Sequence, residues 1–151
     1  DPLGRDPGGQ AAVVGRAAHM EAASNTWISS TLASEATALA AVAGVLEWHE
    51  KKEVCDTLWR TGEEMMGALR RAIAASRIEG VSVEGIAPMW FLAFDSAEYQ
   101  TRFLEIAVEE GVLFKRGAYN FASMSHDEET IIEIERVAST ALVRLLEENE
   151  G

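Results

Sequence analysis

The stretch VSVEGIAPMWFLAF, Val81 to Phe94, most constrains the fold. Its β-branched and aromatic residues surround Gly85 and Pro88 and read as two strands, Val81 to Glu84 and Met89 to Phe94. Two strands need other elements to cover them. Before them, Val54, Leu58, Met65, Leu69 and Ile73 recur at helical spacing on a predicted helix from about Lys52 to Arg77, with Gly80 as its stop. After them, DSAE has the spacing of a capping box, with Asp95 as N-cap and Glu98 reaching back, and its helix runs to about Glu110 before Gly111. VLFKR reads as another strand. SHDE, Ser125 to Glu128, repeats the capping-box spacing. The last helix, about Asp127 to Glu148, carries Ile131, Ile134, Val137, Ala141, Leu142 and Leu145 on one face. This order predicts an α+β fold, a small sheet covered by helices on one side.

The N-terminal third reads differently. Asp1 to Gln10 holds two of the three prolines and three glycines, and reads as a loop or linker. AAVVGR, Ala11 to Arg16, is a short apolar strand ended by Gly15, and AAHMEAA gives a helical turn or two. TWISSTLASEATALAAV follows, where Thr26, Ser29, Ser30 and Thr31 crowd ahead of an alanine-rich helix running from Ser34 to about Glu50. That helix is apolar on nearly all sides, so we expect it to be buried against protein outside this sequence. Hydroxyls at a helix start serve two ends. Ser34, Ser30 or Thr31 caps the first turn, or the hydroxyls and free amides hold an anion such as phosphate.

Charge and composition narrow the partners. The net charge of −12 argues against a nucleic-acid or anionic-membrane surface, since both need a basic footprint. The longest apolar run, Ala36 to Leu46, lies between Glu35 and Glu47 and is too short to cross a bilayer. The single cysteine, Cys55, excludes an internal disulfide and fits a reducing, cytoplasmic compartment. The N-terminus lacks the basic and apolar regions of a signal peptide. His19, His49 and His126 have no metal-ligand spacing, so no metal is expected. Cys55 reads as a small packed hydrophobe, and Trp48, Trp59 and Trp90 read as core before they read as a ligand pocket. FKRGAYNF, Phe114 to Phe121, is the one local cluster of basic and aromatic groups. Lys115, Arg116, Tyr119 and Asn120 follow a strand in a loop and are candidates for contact with an anionic substrate.

The residues from Ala11 onward resemble the C-terminal part of class III pyridoxal-phosphate-dependent aminotransferases, with the glutamate-1-semialdehyde aminomutase-like branch the nearest in look. The anchors, in order, are AAVVGR with its short helix, TWISSTLASEATALAAVAGVLEW, a long helix, GIAPMWFLAF, and EEGVLFKRGAYNFASMSHDEETI. The resemblance implies a fold like the C-terminal domain of fold-type I enzymes, preceded by a long interdomain helix. Residues 11–50 would be the tail of the large cofactor domain and 51–151 the small domain. It implies pyridoxal 5'-phosphate as cofactor, a homodimer, and a small amino or keto acid as substrate. It also implies that Thr31, with Ser30 beside it, binds the phosphate of the cofactor held by the opposite subunit.

The family's Schiff-base lysine would fall shortly before AAVVGR, where this chain has GRDPGGQ with Arg5. Arginine stays protonated and cannot serve. The lysines, Lys51, Lys52 and Lys115, match no catalytic position, so no catalytic residue is assigned. The family's N-P pair is replaced by Glu35 and Ala36. On this resemblance the chain corresponds to about the last third of such an enzyme and would be inactive alone. The rival reading is a non-catalytic α+β interaction module.

Overall fold

A computed structural model describes residues 14–26, 35–117 and 119–149. The chain divides into two compact units, Asp1–Glu53 and Val54–Gly151.

In the first unit, α1 (Ala17–Met20) runs into a 3-10 turn (Glu21–Asn25), and α2 spans Ala36–Lys51. Val14, Gly15 and Arg16 form no strand, and Ala11–Val13 lie outside the described residues. The expected serine or threonine cap of α2 is corrected to Glu35, whose carboxylate accepts from the Thr37 N–H at 3.2 Å and the Ala38 N–H at 2.6 Å. The longer side chain folds back over the first turn and meets two amides that have no helical partner. These bonds hold the Glu35 carboxyl below its ordinary pKa, the Ala38 amide contributing most. Ala38 is the one buried residue of α2.

In the second unit, α3 (Val54–Ser76) leads to the hairpin β1 (Val81–Ile86) and β2 (Met89–Phe94). Then come α4 (Ala97–Glu109), a two-residue β3 (Asn120–Phe121) and α5 (Glu128–Asn149). The sheet is antiparallel, ordered β1-β2-β3, with Val81 opposite Phe94 and Ile86 opposite Met89. This helix-rich α+β architecture is the expected one. Its core joins the inner faces of α3, α4 and α5 to one face of the hairpin. Trp90, Phe103, Leu69, Ile106, Leu142, Leu145 and Val137 are fully buried. Phe94, Phe103, Phe114 and Trp90 form a chain of aromatic contacts with centroids 5.3–6.3 Å apart. Each such ring contributes roughly 1.5–3 kcal/mol by burial.

Several local expectations are corrected. Helix α3 ends at Ser76, and the left-handed stop is Arg77, not Gly80. Arg77 takes a left-handed φ of 60° while Ser76 Oγ donates to the Ile73 carbonyl and accepts from the Ile78 N–H. The cap of α4 is Ser96, which accepts from the Tyr99 N–H at 3.2 Å. Asp95 is held back because its own N–H still bonds the Gly80 carbonyl at the end of the sheet. The cap of α5 is Asp127, whose Oδ1 accepts from the Thr130 N–H at 2.9 Å and its hydroxyl at 2.7 Å. VLFKR forms no strand. Cys55 is exposed, and so are Trp48 and Trp59, each at 49%, whereas Trp90 is core.

Candidate functional site

The loop after α4 is built around one buried anchor. Phe114 is held in the core, while Leu113, Lys115 and Arg116 on either side of it are exposed. Asn120, at the start of β3, closes the loop: its Oδ1 accepts from the Lys115 N–H at 2.9 Å. That bond uses the backbone donor a strand would have offered a neighbour, which is one reason VLFKR stays outside the sheet. Gly117 turns the loop at φ 58°, a conformation costly for other residues.

The four candidate side chains then part. The Arg116 guanidinium donates to Thr101 Oγ1 on α4. Tyr119 packs edge-on against Phe91, with centroids 5.7 Å apart and planes at 77°. It lines a cavity of about 320 Å³ with Phe91, Ala93, Phe94, Gln100 and Gly117. Asn120 lines a different cavity of about 840 Å³, whose floor includes Met65, Trp90 and Phe114. Lys115 and Arg116 line neither. The structure therefore gathers the candidates on one loop without converging them on one point. Thr31 and Ser30 lie outside the described residues.

The larger cavity brings in residues that the pattern reading had assigned elsewhere. His126 lies on its wall, just ahead of α5, and its Nδ1 accepts from the Ser123 N–H at 3.0 Å. That donor fixes Nδ1 as an acceptor, so in the neutral ring the proton is on Nε2. Asp127 lies beside it, and the hydroxyl of Thr130 holds its carboxyl below the usual range, with the Thr130 amide adding to the effect. Trp90 Nε1 and Asn120 Nδ2 are buried without an acceptor among the described residues. The signal for the first was available: Trp90 is on the same strand face as Leu92, which marked it as inward-facing. No group of three or more metal-ligating side chains occurs among the described residues, and no helix there is long and apolar enough to cross a membrane.

No family model matches the chain, and no curated protein does. Among solved structures the chain is similar to one described as a transaminase with PLP bound, at a TM-score of 0.56 and 20% identity. The match covers 62% of this chain and 24% of that one, so the chain spans about a quarter of the transaminase's length. At this identity the likeness is one of fold: the chain folds like part of a transaminase.

Proposed function

We propose that this chain is the C-terminal portion of a PLP-dependent aminotransferase or aminomutase of class III, in the glutamate-1-semialdehyde aminomutase-like branch. The observation that carries the reading is the fold shared with a PLP-bound transaminase over 62% of the chain. The ordered sequence anchors from AAVVGR to SHDEETI support it independently. The parent reaction moves an amino group on a small amino or keto acid, in a cytoplasmic homodimer. Thr31 and Ser30 would hold the cofactor phosphate of the opposite subunit. The Lys115–Asn120 loop would stand at the mouth of the substrate pocket.

The described residues do not by themselves fit the cofactor. A Schiff base needs a lysine amine in a cavity. Lys51 is exposed at the end of α2 and paired with Glu47 at 2.5 Å, and Lys52 and Lys115 are exposed. None lines either cavity described above. No catalytic step is therefore assigned to these residues, and the chemistry of the bound cofactor belongs to the parent enzyme. The deciding experiment is the intact mass of the native protein together with its visible absorbance. A longer chain with a yellow chromophore is expected. A colourless protein of this length would favour the non-catalytic interaction module.

A further inference from the structure

The larger cavity supports an inference independent of the cofactor. Trp90 and Asn120 are partners in the antiparallel ladder of β2 and β3. Their side chains therefore leave the same face of the sheet, with Cβ atoms roughly 5 Å apart. Trp90 is 1% exposed, and both its Nε1 and Asn120 Nδ2 are buried donors without an acceptor among the described residues. Turning the Asn120 amide over gives no relief, because Oδ1 is fixed by the Lys115 N–H. Folded proteins rarely leave one such group unpaired, and here two belong to cross-strand neighbours that both line one cavity.

The rim says what kind of molecule supplies the acceptor. Leu113, Phe121 and Ile132 line it while 83%, 59% and 62% exposed. Three large apolar side chains around one groove mark a surface that a partner covers. The acidic groups there are unequal. Asp127 caps α5 and Glu133 pairs with Arg136, while Glu129 has no ion-pair partner among the described residues. The net charge of −12 also favours a basic partner.

We propose that this groove takes an extended polypeptide segment of apolar and basic residues. A backbone carbonyl of the segment, with two lone pairs, accepts from Trp90 Nε1 and Asn120 Nδ2 once the two side chains turn outward, since neither nitrogen is open to solvent as it stands. Its apolar side chains cover Leu113, Phe121 and Ile132, and a lysine or arginine faces Glu129. A peptide carbonyl is neutral, so it enters past the acidic rim where a carboxylate ligand would be repelled.

The test is a titration of the full chain, labelled with nitrogen-15, by the capped peptide acetyl-Val-Val-Lys-Val-Val-amide. Trp90→Phe and Asn120→Asp identify the two side-chain N–H signals. Both signals should move together and saturate. The peptide with Glu in place of Lys should bind about fivefold more weakly, the scale of one exposed ion pair exchanged for a repulsion. Glu129→Lys, at an exposed position, should reverse that order, and Ile132→Asp should weaken both peptides. The proposal is overturned if neither N–H signal responds, or if only rim signals do. It is also overturned if N-methylacetamide at the same concentration moves both signals as far, since the site would then take a small carbonyl compound.

Discussion

Gly62 on α3 meets the turn of the β-hairpin at Ala87 so closely that a Cβ on residue 62 would stand 1.8 Å from the Ala87 carbonyl oxygen. Ala87 is itself only 2% exposed, so the turn has little room to move. In an isolated helix, Gly62→Ala would gain up to about 1 kcal/mol of helix propensity. Here the clash with backbone forces α3 and the hairpin apart, at a cost of roughly 1–3 kcal/mol. The expected outcome is a lower urea midpoint for Gly62→Ala, whereas Gly44→Ala, with nothing within 4 Å of its added Cβ, should raise helicity. A stabilised Gly62→Ala protein would show that the helix and the turn do not touch.

Stability should fall in acid through two named carboxylates. Arg71 donates from Nε at 3.0 Å and from Nη2 at 2.5 Å to Glu135, joining α3 to α5, and the bond holds the Glu135 carboxyl below its ordinary value. Asp127 is held low by Thr130. A carboxyl whose folded value is depressed contributes stability above its unfolded value and loses it as pH falls through the folded one. The contribution should therefore be complete at neutral pH and disappear below the ordinary carboxylate range. Thermal unfolding of Glu135→Gln and Asp127→Asn should show a smaller drop in midpoint on acidification than the parent. Equal drops would remove the linkage.

In the proposed parent dimer, Thr31→Ala should weaken retention of pyridoxal phosphate by about ten- to a hundredfold, the value of a hydrogen bond to a charged group. Fold stability should hardly change, because the Glu35 carboxylate supplies a cap for α2. Thr31→Ser should be nearly silent. Absorbance during dialysis measures the loss, and full retention in Thr31→Ala would end the phosphate assignment.

Arg116→Ala in the same enzyme should raise KM for an amino acid more than for a neutral amine, since only the former carries a carboxylate for a guanidinium to pair with. The guanidinium is anchored on Thr101, so Thr101→Val is expected to produce a weaker version of the same selectivity change. Equal effects on both substrates would show that Arg116 serves the loop and not the substrate.

Helix α2 leaves Leu39, Val45, Leu46 and Trp48 at least 49% exposed. We expect the second subunit of the proposed dimer to cover them. Leu46→Glu should then shift the full-length protein towards monomer in sedimentation, with Thr37→Glu near the helix start as an exposed control. A dimer that survives Leu46→Glu would place its interface elsewhere.

What could be read from the sequence followed from burial. The inward faces of α3 and α5 and the span of β2 were legible because apolar periodicity is imposed by the core itself. Val54, Met65 and Leu69 are buried, as are all six residues expected on the last helix. The caps were less legible because neighbouring residues compete. Asp95 and Ser96 both suit the role, and the choice falls to Ser96 only because the Asp95 amide is taken by Gly80. VLFKR had the composition of a strand, but a strand is a relation to a partner, and β3 reaches only Met89 and Trp90. The candidate loop was legible as a cluster. Its division between two cavities was not, since that depends on Asn120 tying back to Lys115.

The packing of α5 on α3 also bears on how the chain is made. Arg71 and Glu135 are 64 residues apart, and seven of the buried side chains come from α5. While the ribosome is still adding that last helix, α3 and the hairpin have emerged with their apolar faces open. The second unit therefore closes only after α5 has been made, and its nascent form before that point is the species most in need of a chaperone.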